Sequence, residues 1–341
     1  MVCAWVDRPS SDSCRRIWQV ARLYCNAHEL LNADGSDSDM GFGIFPSGCL
    51  ANHSCDPNAT WFLQDGAAGA ADGEALLCVR ALRAVAPGEP LSVAYCDVHE
   101  HRRLRQKSLQ KSFLFSCACP RCALPACDSR ADEQLLSAWK PGKKPRDYEA
   151  QEDRWLSELD ALSTLISKAQ PPWDSQSMAA ASVAAQALGE SLQANLECTH
   201  ALWLKLQRAQ LRLESCRSRL MCGAGGAELD RAEQGLRRRS EISDALAQAL
   251  ESVFDRDRLL CDLRYGHCLL EGARARNEQA LAGAANALPE RERKAVLEAA
   301  HAGARKALRV YATVLGSGHW MVAKVKQEVQ GIADEMKQLT P

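Results

Sequence analysis

Apolar and polar positions divide the chain into two regions with different periods. From Cys14 to Leu31 the apolar residues Ile17, Val20, Ala21 and Tyr24 recur at helical spacing, and Asp12 or Ser13 stands where a cap belongs. Asn32 to Asp37 is a polar break. Short strands follow at Phe42–Phe45, Ala59–Leu63, Ala75–Val79 and Leu91–Tyr95. An Ala/Gly-rich loop runs from Gly66 to Gly73, and Ala86-Pro87-Gly88-Glu89 is a turn. This pattern predicts a small, mostly antiparallel β domain. His99 to Phe113 reads as a basic helix whose Arg102, Arg103, Arg105, Lys107 and Lys111 form a solvated face. Pro141, Gly142 and Pro145 mark a linker.

Beyond Asp147 the period is helical throughout. Trp155, Leu159, Leu162 and Ile166 make one apolar stripe, and further helices are predicted over 175–197, 199–219, 228–252, 255–281, 289–315 and 319–338. Breaks fall at Pro171-Pro172, Gly223–Gly226 and Gly316-Ser317-Gly318. Helix pairs on short loops fit a TPR-like solenoid, with a plain helical bundle as the alternative.

Composition narrows the function class. The 341 residues carry 42 basic and 43 acidic side chains, so no strong overall field draws the chain to nucleic acid or an anionic membrane. No stretch is long and apolar enough to span a bilayer. The start shows no basic segment leading into an apolar run, which sets the expectation of a cytoplasmic or nuclear protein with reduced thiols. The sixteen cysteines then need a reason other than disulfides. Most are scattered and read as small buried apolar residues.

Cys117-Ala118-Cys119-Pro120-Arg121-Cys122 is different. Three thiolates in six residues can converge on one ion, and zinc takes four such ligands in a tetrahedron. Cys55, Cys127 and His53 are the candidates for the fourth. Closed four-cysteine coordination leaves no position for substrate, so such zinc is structural.

Asn52-His53-Ser54-Cys55-Asp56-Pro57-Asn58 resembles the signature of SET-domain lysine methyltransferases. Gly41-Phe42-Gly43-Ile44-Phe45-Pro46-Ser47 before it, Pro87 to Tyr95 after it and the closing Phe113 to Cys122 match in the same order. The ending Val314-Leu315-Gly316-Ser317-Gly318-His319-Trp320 is similar to the helical C-terminal domain of the SET-and-MYND (SMYD) branch. The resemblance implies an α+β chain: a partial SET-type β-fold over 1–116, a post-SET zinc segment over 117–130, a linker over 131–146 and an all-α TPR-like domain over 147–341.

The resemblance also implies site roles. Cys55 joins Cys117, Cys119 and Cys122 around structural zinc. Asn52 and His53 contact S-adenosylmethionine, and Asn26 is a further cofactor residue. Tyr95 is the catalytic tyrosine at the methyl-transfer point. Phe115 serves both cofactor pocket and lysine channel, and Phe113 lines the channel where relatives often carry tyrosine. The partner implied is a protein or peptide lysine, on a histone or another protein. The first SET segment, with its Gly-x-Gly motif, and the MYND module are not recognised before Asn52. The expected function is therefore a lysine methyltransferase incomplete at its N-terminus, with a catalytically inactive interaction scaffold as the alternative.

Overall fold

The structure is a computed structural model, and it describes residues 19–20, 23, 26–31, 39–65, 75–123, 130–168, 175–221, 227–285 and 289–339. The chain separates into two compact units, Met1–Glu133 and Gln134–Pro341.

The first unit contains three two-stranded pieces. Strand β1 (Ala27–Leu31) runs antiparallel to β2 (Asp39–Ile44), with an irregularity between Leu30 and Leu31. The predicted helix through Leu31 is thus corrected: its last five residues are strand, because pairing with β2 overrides a weak local period. Strand β3 (Asn52–His53) pairs in parallel with β6 (Ser92–Val93). Strand β4 (Ala59–Asp65) pairs antiparallel with β5 (Ala75–Ala81), Ala59 opposite Ala81.

The predicted strand over 91–95 shortens to two residues, because its start is tied to side chains instead of to a longer ladder. Buried Asn58 donates from Nδ2 to Glu89 Oε1 (2.9 Å) and to the Pro90 carbonyl (2.9 Å), and its Oδ1 accepts the Ser92 N–H (2.8 Å). The turn before it closes as predicted. Glu89 N–H donates to the Ala86 carbonyl, with Gly88 at φ 83°, where a side chain would be strained.

Helix α1 (Arg102–Phe113) buries Leu104, Arg105 and Leu109 on one face. It ends at Leu114, the non-glycine residue at φ 59°. The left-handed turn leaves Leu114 exposed between the half-buried Phe113 and Phe115. Helix α2 (Pro120–Ala123) is one turn long and opens on proline, which suits a first helical position.

Helix α3 (Arg130–Ser137) occupies much of the stretch assigned as linker, and Trp139 behind it is buried and bridges to Leu196. Then come α4 (Tyr148–Lys168), α5 (Ser175–Asn195), α6 (Ala201–Met221) and α7 (Ala227–Val253). After them come α8 (Arg256–Leu260), α9 (Leu263–Ala285), α10 (Glu290–Leu315) and α11 (Trp320–Gln338). The predicted helix over 255–281 is thus split at Cys261-Asp262.

The expected stripe Trp155, Leu159, Leu162 and Ile166 is buried on α4. Each long helix packs on the next, save that α9 takes the place beside α7 across the short α8. Small residues allow close approach, with Ala273 and Ala280 of α9, Ala300 and Ala304 of α10 and Ile332 of α11 in one core cluster. Among the described residues, no helix is long and apolar enough to cross a membrane.

Candidate functional site: a four-sulfur cluster and an aromatic pocket

The loop after β3 and the segment after α1 bring four sulfurs together. Cys55 Sγ lies 3.5 Å from Cys122 Sγ and 4.0 Å from Cys117 Sγ. With Cys119, all four sulfurs fall within 4.8 Å of one another. A zinc tetrahedron with bonds of about 2.3 Å has edges of about 3.8 Å, so the spacing fits.

The surroundings fit a thiolate cluster as well. Each sulfur receives one N–H: Cys119 from Cys55 N (3.4 Å), Cys117 from Cys119 N (3.4 Å), Cys122 from Arg105 Nη2 (3.6 Å) and Cys55 from His53 Nε2 (3.2 Å). His53 Nδ1 accepts the Tyr95 N–H (3.0 Å), so the proton of the neutral ring sits on Nε2 and faces the sulfur.

Arg105 is fully buried, which corrects the reading of the whole basic run as solvated. It donates to Asp132 through Nη1 (2.5 Å) and Nη2 (3.0 Å), and to the Glu100 carbonyl (2.6 Å). Arg121 also reaches Asp132 (2.8 Å) and ties the Cys55 carbonyl (3.1 Å) to the Val98 carbonyl (2.8 Å). Two buried guanidiniums, oriented by the Asp132 carboxylate they share, would offset part of the negative charge that four thiolates bring to a zinc ion. Burial pushes the Asp132 carboxyl up, but the Arg105 hydrogen bond and both arginine charges win and hold it low. Nothing in the spacing of Arg105, Arg121 and Asp132 announced this role. The one clue was that Arg105 shares a helix face with Leu109, four residues on.

The hydrogen bond from Cys96 holds Cys55 far down, against burial and with help from His53 and Arg105, while Cys96 is driven up in return. Burial pushes Cys117 up and raises Cys122 to about 11. A metal therefore has to displace protons from buried thiols. Of the three candidates for a fourth ligand, Cys55 is the one grouped with the trio. His53 forms a separate group with Cys55 and Cys96. Cys127 lies outside the described residues.

The aromatic residues pack on the sulfurs. Tyr95, Phe113, Phe115 and Cys119 lie against a core of Cys55, Cys96, Leu109, Cys117 and Cys122. The Tyr95 ring is 4.8 Å from Phe113 and 5.4 Å from His53, and His53 is 6.0 Å from Phe115. The Tyr95 hydroxyl donates to the Ala51 carbonyl. Burial raises the Tyr95 pKa, with the nearby Cys49 adding to it, so the phenol keeps its proton.

Asn52 is exposed on β3. Asn26 lines a cavity of about 520 Å³ with Leu23, Ile44, Pro46 and Cys49, and its carbonyl accepts the Cys49 thiol (3.2 Å). The short helical turn Gly48–Leu50 thus lies between Asn26 and the Ala51–Tyr95 bond. The cavity's apolar wall and amide groups suit an amphipathic cofactor.

Residues 7–96 match the SET domain family. Among curated proteins, the histone-lysine N-methyltransferase SMYD3 of Mus musculus is 34% identical over 123 residues, 35% of this chain and 26% of that protein. The histone-lysine N-methyltransferase ASHR1 of Arabidopsis thaliana is 30% identical over 115 residues, 34% of this chain and 22% of that protein. The protein-lysine N-trimethyltransferase SMYD5 of Mus musculus is 34% identical over 126 residues, 36% of this chain and 27% of that protein. The matches thus span about a quarter of each relative's length. The family match and the relatives agree in making this part of the chain similar to the SET domains of SMYD-type proteins.

Proposed function

We propose that the chain is an S-adenosylmethionine-dependent protein lysine N-methyltransferase, acting on a histone or another protein in the cytosol or nucleus. The observation that carries this reading is the packing of Tyr95 between the His53 and Phe113 rings, on the face of the four-sulfur cluster. When bound, S-adenosylmethionine supplies a methyl group on a sulfonium, open to in-line displacement by an uncharged amine.

This chain's residues do the rest. Asn52, His53 and Asn26 hold the cofactor, the last from the wall of its cavity. Cys55, Cys117, Cys119 and Cys122 would hold structural zinc, tying the post-SET segment to the loop after β3. Phe113 and Phe115 wall the lysine channel and exclude water, which disfavours the ammonium form of the substrate. Tyr95 orients the amine. Its own proton is committed to Ala51 and the phenol keeps it, so Tyr95 would position the amine by accepting from it and not by deprotonating it. Alignment supplies much of the rate. Phe113 stands where relatives often have tyrosine, and the missing hydroxyl changes how many methyl groups the channel accepts. We read helices α4 to α11 as a TPR-like array that presents the protein substrate.

The test is calorimetric titration of zinc-replete protein with the cofactor, followed by mass spectrometry of a histone mixture. Saturable binding is expected, together with transfer that falls on the order of 100-fold in Tyr95→Phe while cofactor affinity stays within a few-fold. A folded, zinc-replete sample that gives no heat at millimolar cofactor would overturn the proposal.

A further inference from the structure

The helical unit has a cavity of its own. About 560 Å³ opens where the end of α7, the short α8, the start of α9 and the middle of α10 meet, a size typical of small-ligand sites. Its floor is apolar: Phe254, Leu259 and Tyr265 are buried there, with Leu260 beside them. Its rim is cationic, made of Arg256, Arg305, Lys306 and Arg309, all exposed.

Glu251 is the acid that lines the cavity, and it is already engaged. It pairs with Lys306 Nζ (2.5 Å) and accepts the Tyr265 hydroxyl (2.5 Å). Two further acids of the same turn are engaged with backbone N–H groups. Asp255 caps α8 by accepting the Arg258 N–H (2.8 Å), and Asp262 accepts the Arg264 N–H (2.8 Å). With Asp257, their charges fall on Cys261, whose thiol burial already pushes up.

Arg256, Arg305 and Arg309 thus have no acidic partner among the described residues. Other arginines of this unit do find one, as Arg239 does in Glu271, Arg274 in Glu328 and Arg276 in Asp244. Four cations less one carboxylate leave three positive charges around an apolar floor.

We propose that this cavity binds a phosphate monoester carried on a ring-sized apolar body, such as a phosphotyrosine side chain or a small aromatic phosphate. Guanidinium forks match phosphoryl oxygens, and a dianion uses the surplus charge that a single carboxylate would leave unbalanced. The ring covers Phe254, Leu259 and Tyr265, which inorganic phosphate alone would leave wet. The site is independent of the methyltransferase reading.

The experiment is calorimetric titration of the full chain with phenyl phosphate, inorganic phosphate, phenol and benzoate. Phenyl phosphate is expected to bind saturably, at least about tenfold more tightly than any of the other three, and to weaken as salt rises. Arg305→Gln with Arg309→Gln should lose at least about tenfold in affinity with an unchanged circular dichroism spectrum, and lysine at both positions should restore part of it. The proposal falls if phenyl phosphate gives no saturable heat at millimolar concentration, if the double glutamine variant binds like the parent, or if benzoate binds as well. A phosphotyrosine peptide and an aromatic nucleoside monophosphate then distinguish the source, the tighter one naming it.

Discussion

The two units solve the same problem with different materials. Among the described residues, the buried apolar side chains of the first unit are Ala59, Val93, Leu104 and Leu109, with Cys55, Cys96, Cys117 and Cys122. Half of that core is thiol. Its strands come in pairs rather than in one sheet, and isolated two-stranded pieces are marginal in water. The second unit buries long leucine and alanine faces across consecutive helices. Where the apolar core is thin, clustered sulfurs and buried guanidiniums fill the interior; where it is thick, ionic groups tie neighbouring helices together.

The largest effect should therefore come from the metal. A zinc chelator, or Cys55→Ser, is expected to unfold the first unit, since metal binding free energy in small thiolate sites runs to about 10 kcal/mol or more. Hydrogen exchange checks this: amides across 52–122 should lose protection while those across 148–338 keep it. Equal loss in both units would break the comparison.

Next is the ionic core of the helical unit. Glu271 of α9 takes Arg239 of α7 (3.0 Å), Arg274 (2.9 Å) and the Ser215 hydroxyl of α6 (2.6 Å). Glu271→Ala leaves buried Arg239 with only the half-exposed Glu278 (3.2 Å) and should cost about 2–3 kcal/mol in denaturant unfolding.

The same carboxyl gives a pH signature. Burial pushes it up, but Arg239, His267, Arg274 and Ser215 bring it down to about 2. A depressed carboxylate stabilises above its unfolded value of 4.5, and that stability drains as pH falls toward about 2, by roughly 3 kcal/mol in all. The first unit should fail earlier in an acid titration, because protons compete with metal for Cys117 and Cys122, whose thiols burial pushes up. Two separate transitions by circular dichroism, the thiol one at higher pH and the lower one altered in Glu271→Ala, would sharpen the contrast.

Gly272→Ala tests the helical packing more gently. A Cβ there would sit 2.3 Å from Ser243 Oγ, which is hydrogen-bonded to the Cys268 carbonyl at 2.6 Å. A loss of about 1–3 kcal/mol is expected in thermal unfolding. The smallest effect should be a gain. Leu114→Gly relieves the left-handed strain of about 1–2 kcal/mol at some cost in chain entropy, leaving about 0.5–1 kcal/mol in favour.

How much of this was legible in the sequence depended on whether the cause was local. The stripe from Trp155 to Ile166 follows from spacing alone, and so does the trio Cys117, Cys119 and Cys122. The sulfur of Cys55, 62 residues before Cys117, could not be drawn from spacing, and the family resemblance was needed to suggest it. The strand at Ala27–Leu31 exists because β2 pairs with it, which no local period records. The break at Cys261-Asp262 carries neither glycine nor proline. It is nonetheless what folds α8 back to form one wall of the cationic cavity. Arg105 was hidden among surface look-alikes, since its burial depends on Asp132, 27 residues on.

One imidazole ring has an outsized reach. His53 donates to the Cys55 sulfur and accepts the amide N–H of Tyr95, so the sulfur cluster and the Tyr95 pocket share a hinge one residue wide. Partial occupancy by metal should then register as a count of competent molecules. A half-loaded preparation would saturate at a lower stoichiometry with its dissociation constant intact, and inventorying metal atoms would serve as an active-site titration.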